Sequence, residues 1–291
     1  MLTARPLLAL LLAAIGASAT AAPPDATQPL DQVTVEAHRQ QLEERVTAFV
    51  SKLAHPNFDR SLRRWLVPVC PLVAGLPQVQ GEFMLARLSE VARQAGVPLA
   101  GEKCSPNLHI VATADPSGLL KSWRRRDRRL YGDAMPAEVQ HFLTHTHPVM
   151  VWYNAAVTED GGGALDPTAT KLGTNYIPTN HHPKGTRIQF EAVEVFESVI
   201  VVVDLRRVQG LSYGQLADYV AMLGFAQLDP AADFGSAPSI LQLYGAQPAQ
   251  APPGGLSDWD VAYLRALYKT EQASRAQRSQ IIQMMVGDMV P

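Results

Sequence analysis

The chain has 291 residues, 47% hydrophobic and 18% charged, a globular composition long enough to bury a sizeable core. Its formal net charge is −2, which argues against a general binder of nucleic acid or of anionic membranes.

The N-terminus reads as a secretory signal. Arg5 supplies a positive start, residues 7–15 are an unbroken apolar run, and small residues fill 16–22, the order of a cleavable signal peptide. Ala19-Thr20-Ala21 fits A-x-A, so cleavage is expected after Ala21, with a cut after Ala19 as the alternative. The run is shorter than the ~20 residues a spanning helix needs, and no later stretch is apolar for long enough. The expected product is therefore exported to a bacterial periplasm or secreted, without an integral membrane span and without a nucleic-acid partner. Residues 22–33 carry three prolines among polar residues and read as a flexible leader. Residues 34–291 read as a single globular domain, with a subdivision near 157–186 as the alternative.

Leu42, Val46, Phe49, Val50 and Leu53 share one helical face and predict a helix over 34–54, ended by His55-Pro56-Asn57. Residues 66–73 are β-prone but carry Pro68 and Pro71, which predicts an edge strand or extended segment. A helix over 78–94 places Met84, Leu88, Val91 and Ala95 on one face, with Gly96 as its stop. A short strand over 108–112 follows. Asp115 or Ser117 then caps a helix that carries Leu119, Leu120 and Trp123 into an arginine-rich end. Pro136 suits the first turn of a helix over 136–143, and 149–155 is a strand. Residues 158–185 are rich in Gly, Thr, Asn and Pro. Long segments of that kind are usually functional or disordered. Residues 188–193 and 194–205 read as two strands, arranged as a hairpin in one reading, with 199–203 central in a sheet. Helices are predicted over 213–223, 238–244, 258–269 and 274–285. Residues 248–255 read as a loop, and Ser257 with Asp260 resembles a capping box. The sum is an α+β fold: a mixed sheet with flanking helices and a helix-rich C-terminal half.

The two cysteines, Cys70 and Cys104, predict one disulfide in an oxidising compartment. A redox-active pair usually needs C-x-x-C spacing, which is absent.

Histidines supply the candidate metal ligands. His141, His145 and His147 lie in HFLTHTHP, and His181 and His182 lie in the long segment. His141 and His145 would share a helix face at i, i+4, a spacing used by metal ligands, although no carboxylate stands in the H-E-x-x-H place. The alternative is a polar helix end. The run KSWRRRDRR over 121–129 holds six cations against Asp127. Arg124, Arg125, Arg126 and Arg128 are candidates for binding phosphates or other anionic envelope groups, with Trp123 beside them. The alternative is a solvated helix end whose charge complements the helix dipole. No G-x-S-x-G, P-loop or dinucleotide-binding motif is present. Glu191, Glu194 and Glu197 lie close in sequence, but nothing there pairs them with a substrate.

One resemblance rests on the order of the C-terminal part. The run 199–204 leads to LADYVAMLGF, then PSIL, then LSDWDVAYLRALY. This layout over about 195–270 resembles zincin-like metalloproteases and the DUF2927 type of bacterial secreted proteins. The metalloprotease helix carries H-E-x-x-H-x-x-G-x-x-H and is followed by a turn around a methionine. Matching on Gly224 puts Ala217 and Ala221 at the helix histidines, Asp218 at the catalytic glutamate and Gln227 at the third histidine. Leu241 stands at the methionine. A catalytic zinc needs three protein ligands and an open position, so the resemblance implies a degenerate, zinc-free helix. The alternative is an ordinary core helix with Leu216, Tyr219, Val220 and Leu223 inward. The expected function is a non-catalytic zincin-like binding or structural protein of the cell envelope, with no cofactor. The alternatives are a metal-dependent hydrolase, with zinc on the histidines outside that helix, and an anion-binding module.

Overall fold

The computed structural model describes residues 30–53, 61–132, 134–144, 147–159, 192–234, 237–245, 251 and 253–290. Residues from Arg39 onward form one compact unit. Residues up to His38 form a second unit, of which only 30–38, helical throughout, are described.

Seven α-helices and one four-stranded sheet make up the described residues. In chain order they are α1 (Leu30–Leu53), β1 (Pro71–Ala74), α2 (Gln78–Ala95), β2 (Leu108–Thr113), α3 (Pro116–Arg126), α4 (Pro136–Thr144), β3 (Val149–Glu159), β4 (Ala192–Asp204), α5 (Tyr213–Phe225), α6 (Asp258–Lys269) and α7 (Gln277–Met289). Short 3-10 turns occupy Arg128–Tyr131 and Ile240–Leu243. The strand order is β1-β2-β4-β3. The first three strands are parallel, and β3 runs antiparallel to β4. This is the mixed sheet with flanking helices expected of an α+β chain.

Side-chain alternation divides the helices between the two faces of the sheet. Val73, Ile110, Val201 and Val151 stand opposite one another across the four strands. They belong to the larger core, with Phe49 of α1, Leu88 of α2, Val220 of α5, Leu264 of α6 and Ile281 of α7. The next row is Leu72, His109, Ile200 and Trp152. Its Ile200 and Trp152 pack in a smaller core with Leu120 of α3, Tyr131, and Val139 and Leu143 of α4. β4 is buried on both faces, which is why 199–203 is an unbroken apolar run.

Local chemistry sets most boundaries. Gly96, at φ 77°, closes α2 in the left-handed conformation that glycine adopts without cost from a Cβ. Asp115 accepts a hydrogen bond from Gly118 N at 3.0 Å and caps α3. Capping boxes open α5, from Ser212 and Gln215, and α6, from Ser257 and Asp260. Gly75, at φ 81°, turns the chain from β1 into α2, where a Cβ would lie 1.9 Å from the Ala112 carbonyl oxygen. Cys70 and Cys104 are bonded, with Cα atoms 6.0 Å apart. In the loop-entropy account such a bridge contributes roughly 3–4 kcal/mol.

Several boundaries differ from the sequence expectation. α1 starts at Leu30, so 30–33, expected to be leader, are helical. The proline-broken segment over 66–73 yields a strand only from Pro71. β3 runs on through Glu159 because it pairs with β4 along its whole length, so Thr158 belongs to a strand. The two strands expected over 188–193 and 194–205 are one strand within the described residues, Ala192–Asp204. Its N-terminal half gains a second neighbour in Arg64, bridged to Val195, and Phe196 N donates to Arg64 O. The helix expected over 238–244 is a 3-10 turn, and α7 runs over Gln277–Met289 rather than 274–285. Residues 1–29, which include the expected signal peptide, 160–191 and most of 248–252 lie outside the described residues.

Candidate functional site

The helix that carries the zincin resemblance is α5. Every residue from Leu216 to Phe225 is buried, so it is a central helix with no solvent face over that span. It packs against α2 and β4, and a Cβ on Gly224 would meet Leu108 of β2 at 3.1 Å. Gly224 O also accepts a hydrogen bond from Trp65 Nε1 at 2.8 Å. Ala217 and Ala221, at the places of the helix histidines, are fully buried, while Gln227 lies beyond the helix end and is half-buried. Leu241 is buried in the 3-10 turn.

Asp218, at the place of the catalytic glutamate, is committed to other work. Arg87 of α2 donates to it through Nε at 2.6 Å and Nη2 at 3.2 Å. Leu256 N donates to its Oδ2 at 2.9 Å. The Asp218 side chain is 4% exposed and that of Arg87 26%. The hydrogen bond to Asp218 leads the causes that raise the Arg87 pKa and keep its guanidinium charged. The carboxylate is thus a strut that joins α2, α5 and the segment before α6. The sequence offered no signal for Arg87, which lies 131 residues from its partner.

The candidate histidines are placed differently from one another. His141 is exposed on α4. His147 lies between two carbonyls, with Nδ1 2.9 Å from Val149 O and Nε2 3.0 Å from Tyr244 O. Its ring meets Tyr244 edge-on at 5.9 Å. Ligating a metal through either nitrogen would break one of those contacts. His145, His181 and His182 lie outside the described residues. Among the described residues no three His, Cys, Asp or Glu side chains are grouped as a metal site.

Two further acids are embedded in networks of their own. Asp260 is fully buried. It accepts from Ser239 Oγ at 2.5 Å, and from Ile240 N, Ser257 N and Ser257 Oγ at 2.9 Å each. Burial raises its carboxyl above the ordinary value, against the pull of those hydrogen bonds. Ser239, which touches it, is also fully buried, so this serine–aspartate pair holds the 3-10 turn onto the start of α6 and offers no accessible nucleophile. Asp204 lies at the carboxyl end of β4, the edge where open sheets most often bind ligands. It accepts from Arg206 N at 3.0 Å and Arg206 Nε at 3.2 Å. Burial alone would push Asp204 up, but these bonds and the Arg206 charge outweigh it and hold the carboxyl below its usual value.

The arginine-rich run closes α3. Lys121, Arg125 and Arg126 are exposed, and Arg124 is half-buried, its Nη1 3.3 Å from Gln140 Oε1 of α4. Trp123 is half-buried and packs against the smaller core. Arg128 belongs to the following 3-10 turn, and its side chain lies outside the described residues. Glu194 pairs with Arg63, which joins the 61–65 segment to β4.

Compared with known protein families, with curated proteins and with solved structures, the chain matches none.

Proposed function

We propose that this chain is an exported, non-catalytic protein of the bacterial cell envelope, whose zincin-like C-terminal half serves binding or structural work. The Asp218 strut carries the reading. In a working zincin that position holds the base beside zinc, and its neighbours one turn apart are histidines. Here the neighbours are Ala217 and Ala221, which have no ligand atom, and the carboxylate is taken up by Arg87 and Leu256 N. A carboxylate with its oxygens engaged in this way cannot supply the three ligands a catalytic zinc requires. The Cys70–Cys104 bridge supports an oxidising compartment.

The test is metal content and N-terminal mass on protein recovered from the periplasm. The mature chain is expected to start at Ala22 and to bind no stoichiometric zinc through α5. Stoichiometric zinc lost on Asp218→Asn overturns the non-catalytic reading. Zinc lost only on His141→Ala transfers the assignment to a metal-dependent hydrolase built on the histidines. A periplasmic chain that still begins at Met1 overturns cleavage after Ala21, and a chain found only in the cytoplasmic fraction overturns the export reading.

A further inference from the structure

The geometry points to the outer face of α3 as a docking surface for the phosphate headgroups of an anionic lipid layer. The proposal deepens the envelope reading, on which it rests for the location of the membrane. Pro116, Leu119, Leu120 and Trp123 line the inner side of the helix, against the smaller core. At 100° per residue, Lys121 and Arg125 fall on the opposite side, with Arg124 and Arg126 at the two flanks.

The decisive observation is that these cations crowd one short helix without carboxylate partners among the described residues, whereas several arginines elsewhere are paired and others, such as Arg93, stand alone in the sequence. Arg63 pairs with Glu194, Arg87 with Asp218 and Glu90, Arg206 with Asp204, and Arg265 with Asp288. Among the described residues, Lys121, Arg124, Arg125 and Arg126 have no carboxylate partner, and Arg124 meets only the neutral amide of Gln140. Between 121 and 129 there are six cations and one acid in a chain whose net charge is −2. The carbonyls at the end of α3 offset part of that charge, since a helix C-terminus carries about half an elementary negative charge. The remainder faces water.

The arrangement favours a layer of anions over a single ion. Lys121 and Arg125 are one turn apart, ~6 Å along the axis, on the exposed side of a helix rather than within a cleft. Arginine forks suit phosphate oxygens, and several cations on one face can each meet a different headgroup. The whole-chain charge argues against general attraction to an anionic membrane but leaves a local patch effective, because screening confines each interaction to about 10 Å at 0.1 M salt. Near an anionic bilayer each such cation strengthens partitioning about fivefold.

The experiment uses the full mature chain and vesicles of phosphatidylglycerol with phosphatidylcholine, against vesicles of phosphatidylcholine alone. Partitioning is expected onto the anionic vesicles at low salt, and its loss at 0.5 M. The triple variant Lys121→Gln, Arg125→Gln, Arg126→Gln is expected to lose roughly a hundredfold in partitioning while keeping its near-ultraviolet dichroism. A charge-matched control, Arg93→Gln, Lys103→Gln, Lys269→Gln, is expected to stay within a few fold of the parent. Equal loss in both variants, or no binding to anionic vesicles at low salt, overturns the proposal. Millimolar inorganic phosphate that displaces the vesicles assigns the face to a small phosphate instead. Tighter binding to duplex DNA than to the vesicles overturns the lipid assignment. Vesicle binding without export leaves α3 as the surface and removes the envelope reading. Export without vesicle binding does the reverse.

Discussion

The two faces of the sheet treat charge in opposite ways. On the side of the larger core, Asp218 is buried with Arg87 and a backbone N–H around it. On the side of the smaller core, α3 keeps its apolar residues inward and leaves Lys121, Arg125 and Arg126 in solvent. A buried carboxylate without a partner is expensive, so the first region has to be closed internally. An exposed guanidinium is solvated at little cost, so the second can remain open to an outside anion. The carboxylate at the position the resemblance picks out is therefore closed in by its own partners, and α3 leaves its charge in solvent.

The sharpest way to break this contrast is Arg87→Ala, which strands Asp218 in the core. Removal of one partner of a buried pair costs about 3–5 kcal/mol, and the partial exposure of Arg87 places the expectation near the lower end. Chemical denaturation of Arg87→Ala, Asp218→Ala and the double variant gives the coupling. The double variant is expected to be closer to the parent than the sum of the singles. Additive losses would mean that the two groups do not work as a unit.

A smaller effect is expected from His109, on the row that faces α3 and α4 between Leu72 and Ile200. Burial lowers its pKa below 6.5, so the folded state disfavours the imidazolium. Above pH 6.5 the ring is neutral in both folded and unfolded chains and contributes no pH dependence. As pH falls from 6.5 toward the lowered folded value, the unfolded chain takes up protons first and stability drops. Thermal melts between pH 7.5 and 5 should show that decline in the parent and a shallower one in His109→Gln. An identical slope in the two proteins would place the acid sensitivity elsewhere.

The smallest effect is the one that sharpens the comparison. Arg125→Gln with Arg126→Gln is expected to change unfolding free energy by no more than about 0.5 kcal/mol, as is usual for exposed positions. A loss of several kcal/mol would show that these side chains hold α3 in place, and would make the two regions alike.

Much of the scaffold was legible in the sequence because its signals are local. The alternation of apolar residues, Gly96, the Asp115 cap and the Ser257–Asp260 box each act within a few residues, and α2 ends and α6 begins where those signals stand. The cysteine pair was readable from the even count of two. Boundaries that depend on a distant neighbour were not. The extension of β3 to Glu159 follows from pairing with Ala192, and the single strand β4 from its neighbours β2, β3 and Arg64.

The charge arrangement divides in the same way. Composition and spacing by themselves determined that 121–129 is strongly basic and that Ala217 and Ala221 cannot ligate a metal, since both statements concern residue type alone. Only the tertiary structure decided what Asp218 does, because its partners Arg87 and Leu256 lie 131 and 38 residues away in the chain. The fate of His147 was likewise decided by Tyr244, 97 residues distant. A side chain's chemistry is written in its type, but its availability depends on which donors and acceptors the fold brings within about 3 Å.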